Sequence, residues 1–320
     1  MSSTKFTPDT PLFIVLNAAS GSGDTEQAAT ELEQILRAAG RRFEILRIDH
    51  PQRIQELARR AVNAAVDNDG AVVVAAGDGT INTVAQAVLP TGRPMGILPH
   101  GTFNYSCRAH SIPLDTAAAT RALASARVKP IQVGVVNDRI FLVNASLGLY
   151  PELLEDREEY KKRFGRHRSV ALWAGLMTLL RSHRELLLEI DHDQGRETVR
   201  TLSLFVGNNP LQLEQVGLPE ADAVKRQRLA AVMPRSIRTA ALLWLALRGA
   251  LGQLGAAENV RDFSFRSLTV QRVRGSTRRG VKIATDGEIH WLRPPLRFSI
   301  APQPLNLLVP SEPTPDAADA

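Results

Sequence analysis

The sequence predicts two domains: an α/β domain built on a mostly parallel sheet, then a mainly β domain of sandwich type with helical insertions. Three observations carry this. At 320 residues the chain is long enough for two cores of ordinary size. Up to Pro130, short apolar runs alternate with segments of helical periodicity. After Pro130 the helical pattern gives way to strand-like runs, interrupted twice by helical stretches.

Taken in order, Leu12 to Leu16 reads as a short buried strand, and Thr25 to Ala39 as a helix closed by Gly40. Phe43 to Ile48 is a second strand, followed by an amphipathic helix from about Gln52 to Val66. Ala71 to Ala75 is uniformly apolar, as a strand buried on both faces should be. A helix over Thr80–Val88 and a strand over Met95–Leu98 continue the pattern. Repeated strand–helix units imply a parallel sheet covered on both faces, with ligands at the carboxyl ends of its strands. In the second half, Ile131–Val136 and Ile140–Val143 read as a hairpin around Asn137-Asp138. Further strands are expected over Glu185–Ile190, Thr198–Val206, Ser264–Val273, Val281–Ala284 and Arg297–Ile300, and helical insertions over Ser169–Arg181 and Ser236–Leu254. The expected domains are therefore 11–130 and 131–310, with a disordered tail over 311–320, rich in Pro, Asp and Ala.

Composition narrows the function classes. A hydrophobic share of 44% and a charged share of 22% are those of a soluble globular protein. The single cysteine, Cys107, rules out an internal disulfide and fits a reducing compartment. Met1 to Thr10 lacks the apolar core of a secretory signal, and the run Thr239–Leu247 falls far short of the roughly 20 residues of a membrane span. A cytoplasmic protein is expected. The net charge of +6 gathers in basic clusters at Lys161–Arg168, Lys225–Arg228 and Arg272–Lys282, which suit an anionic partner; a solvated basic face explains any one of them as well. Aromatic residues are 5% and do not interleave with the basic runs, which argues against nucleic acid.

Three predicted strands each run into a glycine-containing turn. The first, Asn17-Ala-Ala-Ser20-Gly21-Ser-Gly23-Asp24, could line a phosphate with backbone amides, although an ordinary tight turn explains it at least as well. The second, Ala76-Gly77-Asp78-Gly79-Thr80-Ile81-Asn82, brackets an aspartate with two glycines directly after a buried strand. That arrangement permits close backbone approach to a phosphate and places a carboxylate for Mg²⁺ or for a hydroxyl proton. The third, Pro99-His-Gly101-Thr102-Phe-Asn104, offers another close approach and a short polar side chain. Three such turns at three strand ends point to a polyphosphate ligand.

In this order the three turns, with Asn144-Ala-Ser-Leu-Gly148, Val206-Gly-Asn-Asn209 and Asp286-Gly287-Glu288, resemble the diacylglycerol kinase catalytic family, which includes bacterial lipid kinases and the sphingosine and ceramide kinases. The resemblance runs from Leu12 to Pro310. It implies an ATP-binding first domain, a second domain that accepts the lipid, and Mg²⁺ accompanying the nucleotide. Residue by residue, it places the ATP phosphates against Ala76, Gly77, Asp78, Gly79, Thr80, Ile81, Asn82 and Thr102, with Asn17, Ser20, Gly21, Gly101 and Asn104 in the flanking turns and Asp49 near the nucleotide. Glu288 matches the family's proton acceptor, with Asp286 beside it. In sphingosine kinases the aspartate matching Asp78 has that role, but here Glu288 ranks first as base and Asp78 takes the phosphate or metal position. On the residues alone, Asp286-Gly287-Glu288 is also an ordinary hairpin turn.

The sequence departs from the family pattern at several points. Ala18 stands in place of a proline, Ala76 in place of the first glycine of Gly-Gly-Asp-Gly-Thr, and Thr83 where many members carry glutamate. In the segment 223–228, alignment on Leu229 puts Arg226 where members have an aspartate that helps hold a structural Mg²⁺, and Gln227 where they have glycine. A guanidinium cannot ligate a cation, so that metal site is doubtful; Arg226 is expected to supply the charge itself by pairing with an acidic group of the first domain, with Asp222 as a fallback ligand. The insertions, with Trp173 and Trp244 among apolar residues, suit either core packing or contact with an anionic membrane surface. The sequence therefore predicts an ATP-dependent kinase of a lipid alcohol such as diacylglycerol, another glycerolipid, or a ceramide or sphingoid base, peripheral at the inner membrane face, with a homodimer left open. A soluble kinase resembling NAD kinase and a catalytically impaired lipid- or nucleotide-binding relative are the alternatives.

Overall fold

The computed structural model describes residues 6–17, 25–101, 104–149, 151, 185–193, 195–215, 217, 221–234, 260–273 and 280–311. The chain divides into two compact units, Met1–Val133 with Ala301–Ala320, and Gly134–Ile300.

The first unit is built on a six-stranded sheet. Its strands are β1 (Leu12–Asn17), β2 (Phe43–Ile48), β3 (Ala71–Ala76), β4 (Met95–Pro99), β5 (Arg127–Ile131) and, from the far end of the chain, β18 (Leu305–Val309). Their order is β2-β1-β3-β4-β18-β5, and every neighbour pair is parallel except β18 with β5. The central strand β3 is buried along its whole length, which its sequence Ala-Val-Val-Val-Ala-Ala already requires. The connecting helices present apolar stripes to the sheet; Ile54–Asp67 buries Leu57, Ala58, Ala61, Val62 and Ala65. Strand β18 corrects the expected division at 130. This strand was not among those expected from the sequence, and Leu305, Leu307, Leu308 and Val309 fill the gap between β4 and β5. The helix expected from Thr80 starts at Asp78, because Gly77 takes the extended capping conformation (φ −81°, ψ 169°). The helix expected from Gln52 is preceded by a 3₁₀ turn at Pro51–Arg53.

The second unit holds two six-stranded sheets. One has the order β10-β9-β14-β17-β6-β7, with β6 (Gly134–Val136), β7 (Arg139–Phe141), β9 (Leu186–His192), β10 (Gly195–Thr201), β14 (Ser267–Val273) and β17 (Leu296–Ile300). The other has the order β13-β12-β11-β8-β15-β16, with β8 (Asn144–Gly148), β11 (Ser203–Gly207), β12 (Leu229–Pro234), β13 (Val260–Phe265), β15 (Val281–Thr285) and β16 (Glu288–Leu292). A single apolar core joins them, with Phe141, Leu188, Val270 and Phe298 from the first and Leu147, Val206, Phe265 and Ile283 from the second. The hairpin at Asn137 is present, with that residue in the left-handed region (φ 54°).

Two expected strands each prove to be a pair. Thr198–Val206 breaks at Leu202 and Ser264–Val273 breaks at Arg266, and in both cases the halves join different sheets. Alternation continues through such a corner, so periodicity alone reads it as one strand. Polar contacts fix each corner. Thr201 Oγ1 lies 2.6 Å from the carbonyl of Pro234, and the Arg266 amide donates to Asp193 at 3.1 Å. The expected insertions at 169–181 and 236–254, and the tail beyond 311, lie outside the described residues. Among the described residues no helix is long and apolar enough to cross a membrane.

Candidate functional site

Parallel order in β2-β1-β3-β4 puts four carboxyl ends at one end of the sheet, and with them Asp49, Asn17, Gly77 and Gly101. The second and third turns meet backbone to backbone. A Cβ placed on Gly101 would sit 2.8 Å from the Gly77 Cα and 3.1 Å from Asn104 Oδ1, so this contact admits no side chain at Gly101. Asn104 clamps the third turn from a left-handed conformation (φ 49°, ψ 41°), with Oδ1 accepting from the Gly101 amide at 3.1 Å and Nδ2 donating to the Gly101 carbonyl at 3.0 Å. Asn17 Nδ2 donates to Thr80 Oγ1 at 3.3 Å and so ties the end of β1 to the second turn. The methyl of Ala76, which stands in place of a glycine, is fully buried at the end of β3. Ile81 and Asn82 are buried in the first turns of the following helix, and Thr83 Oγ1 donates back to the Gly79 carbonyl at 3.2 Å. Ser20, Gly21 and Thr102 lie outside the described residues.

Asp78 follows Gly77 as the first residue of the next helix. Burial pushes its carboxyl pKa upward, and the backbone amides of Ser106, Tyr105 and Asn104, aimed at the carboxylate, pull it partly back. Asp78 Oδ1 is buried and has no hydrogen-bond partner among the described residues. The same side chain thus braces the third turn with its hydrogen bonds and keeps one anionic oxygen unsatisfied. These bracing amides are a part of the site that sequence reasoning missed, since backbone donors leave no residue signature; the only signal was Asn104 directly ahead of a short helix.

Asp49 is exposed and pairs with Arg53 at 3.6 Å, a helix-type i,i+4 contact. In the second unit, Asp286 and Gly287 form a two-residue hairpin turn between β15 and β16, both at positive φ (48° and 88°). The Asp286 carboxylate accepts from three backbone amides: Leu142 on Oδ2 at 2.7 Å, and Val143 and Asn144 on Oδ1 at 2.8 and 3.0 Å. It pins the turn to the start of β8. Glu288 follows at the head of β16, exposed to solvent.

For a nucleotide-borne Mg²⁺ the donor set fits in outline. Such an ion takes one or two carboxylates and completes its shell with phosphate oxygens and water, and Asp78 Oδ1 is the available oxygen. The segment 223–228 does not fit a structural Mg²⁺. Arg226 is exposed, Asp222 is engaged by Lys225 at 3.4 Å, and no three His, Cys, Asp or Glu side chains gather as a metal site among the described residues.

Paired glycine turns at the ends of parallel strands, with a half-buried aspartate opening the next helix, are an arrangement that can receive a phosphate. Residues 11–136 match the model of the diacylglycerol kinase catalytic domain. Its relatives include "Probable lipid kinase YegS-like" of Cronobacter sakazakii, 32% identical over 140 residues, which are 42% of this chain and 45% of that protein. Another is "Diacylglycerol kinase" of Bacillus subtilis, 34% identical over 137 residues, 42% of this chain and 44% of that one. The chain thus spans under half the length of these curated relatives. A solved structure of a diacylglycerol kinase from Bacillus anthracis has the same fold, with a TM-score of 0.71 over 96% of this chain and 99% of that one, at 19% identity.

Proposed function

We propose that this chain is an ATP-dependent lipid kinase that transfers the γ-phosphate to a hydroxyl of a lipid alcohol, with diacylglycerol and related glycerolipids ahead of ceramide or a sphingoid base. The observation that carries this reading is the contact between Gly77 and Gly101, together with the buried Oδ1 of the adjoining Asp78, which has no partner among the described residues. The relatives named above support the lipid as acceptor.

In this reading the amides of the second and third turns receive the ATP phosphates, and Asn17, Thr80 and Asn104 hold those turns in register. Asp78 would hold the nucleotide's Mg²⁺ through Oδ1. That ion, when bound, offsets the charge that develops on the transferring phosphoryl group. Glu288 takes the proton of the lipid hydroxyl as its oxygen bonds to the γ-phosphorus and the bond from that phosphorus to the β,γ-bridging oxygen breaks, releasing ADP. Asp286 touches no reacting atom; it positions Glu288 by pinning the hairpin. The test is incubation of the protein with ATP, Mg²⁺ and a total lipid extract, with new phospholipids identified by mass spectrometry. A lipid phosphate that depends on both Asp78 and Glu288 supports the reading. ATP binding without any phosphorylated lipid points to an impaired relative, and phosphate transfer to NAD without lipid points to a soluble kinase.

A further inference from the structure

Helices Pro210–Gln215 and Ala221–Lys225 pack on one face of the β11–β12 pair, where Leu213 and Val224 are buried against Ala230 and Val232. The second helix ends in a turn in which the Gln227 amide donates to the Val224 carbonyl at 3.0 Å and the Arg228 amide to the Ala223 carbonyl at 3.1 Å. Those two bonds define a helix stop whose central residue is left-handed, and Gln227 holds that place with φ 57°. The loop therefore keeps the backbone shape that glycine favours while lacking the glycine, and it lacks the aspartate too.

A cation is nevertheless present. Lys225 Nζ donates to Glu214 Oε1 at 2.9 Å and to Asp222 Oδ1 at 3.4 Å, so one ammonium joins the end of the first helix to the start of the second. Glu214, then Asp222, raise the Lys225 pKa. Arg226, the neighbour expected to act as the substitute charge, is exposed and pairs with no carboxylate among the described residues.

The geometry points to an ammonium in place of a metal: Lys225, rather than a structural Mg²⁺ or Arg226, supplies the positive charge that holds these two helices together. The carboxylates a divalent ion would recruit are already neutralised from within the chain. This inference is independent of whether the protein phosphorylates a lipid.

The experiment is thermal unfolding of the full chain without nucleotide at low ionic strength, in EDTA and in millimolar Mg²⁺. The wild-type Tm is expected to agree within a degree between the two conditions, and metal analysis after dialysis to find no stoichiometric Mg²⁺. Lys225→Ala and Lys225→Met are both expected to lower Tm by about 1–3 °C at low salt, with most of the difference gone at 1 M salt. A wild-type Tm that falls in EDTA, recovers with Mg²⁺ and loses that response in Asp222→Asn overturns the proposal. So does a Lys225→Met variant as stable as wild type, since its stem keeps the packing and only the charge is lost.

Discussion

Replacing Gly101 by alanine puts one methyl group into the contact on which the phosphate site rests. The new Cβ would lie 2.8 Å from the Gly77 Cα, whereas a methyl at Gly77 would meet its nearest neighbour, the Gly101 Cα, at 3.6 Å. Relief by a side-chain rotation is not available, because the obstructing atom is backbone, so the two turns must separate by several tenths of an ångström. Overpacking of this kind costs about 1–3 kcal/mol, or about 2–4 °C of Tm per kcal/mol in a unit of this size. The Asn104 clamp would be strained as well, since its Oδ1 lies 3.1 Å from the same added atom. A displacement of about 1 Å in a positioning element can reduce rate by about 10²-fold, so a separation of several tenths of an ångström is expected to lower kcat/KM for ATP by up to about 10-fold, together with the affinity for a fluorescent ATP analogue. Gly92→Ala is the control. Gly92 has φ 66° and nothing within 4 Å, so its substitution costs about 1–2 kcal/mol of backbone strain and leaves ATP affinity unchanged. A Gly101→Ala enzyme that keeps its Tm and binds ATP within twofold of wild type would refute the reasoning.

Other consequences can be measured separately. In Asp286→Asn, Oδ1 can still accept from Val143 and Asn144, but the new amide nitrogen faces the Leu142 donor, so urea unfolding should show a loss of about 1–3 kcal/mol; an unchanged midpoint would argue against the anchoring role. His110 is half-buried with Nδ1 shielded from solvent and unpartnered among the described residues, and desolvation, aided by Lys129, lowers its pKa from 6.5 to about 4. The unfolded chain then binds the proton more readily, so this stabilisation is complete above about pH 6.5 and lost as pH falls through about 4. At pH 4 the loss is about 3 kcal/mol, and His110→Leu should flatten that part of the stability profile. Burial likewise pushes the Cys107 thiol up to about 12, with the Asp78 charge adding to the rise. A thiol reagent at pH 8 should therefore modify Cys107 only after unfolding.

The first unit was legible wherever local pattern decides the outcome. Leu12–Asn17 and Ala71–Ala76 are apolar enough to be central strands whatever surrounds them, and the glycine-containing turns after them, at Gly21 and Gly77, mark the ligand end. The mutual fit of Gly77 and Gly101 and the amides around Asp78 were hidden, because they arise only when residues 24 positions apart in sequence meet (101 − 77 = 24). Leu305–Val309 was not picked out as a strand, and its place between β4 and β5 is a property of the whole sheet. The corners at Leu202 and Arg266 escaped for the reason that alternation survives a change of sheet. The three backbone amides that Asp286 accepts could not be read from the sequence, where it appeared only as a carboxylate beside the proposed base. At 223–228 the sequence showed that the aspartate was missing, but not the contacts of Lys225, whose partners Glu214 and Asp222 are distributed over two helices.

The central claim is that Glu288 accepts the proton of a lipid hydroxyl while the Gly77–Gly101 turns hold ATP. The most direct measurement is transfer of label from γ-labelled ATP to diacylglycerol and other lipid alcohols in mixed micelles, comparing wild type with Glu288→Gln. The account predicts a labelled lipid phosphate from the wild-type protein. It predicts a rate lower by about 10²–10⁴-fold in Glu288→Gln, at unchanged ATP affinity and with Tm within about a degree, since Glu288 is exposed. Full activity in Glu288→Gln, or no labelled lipid from a wild-type protein that binds ATP, would contradict it.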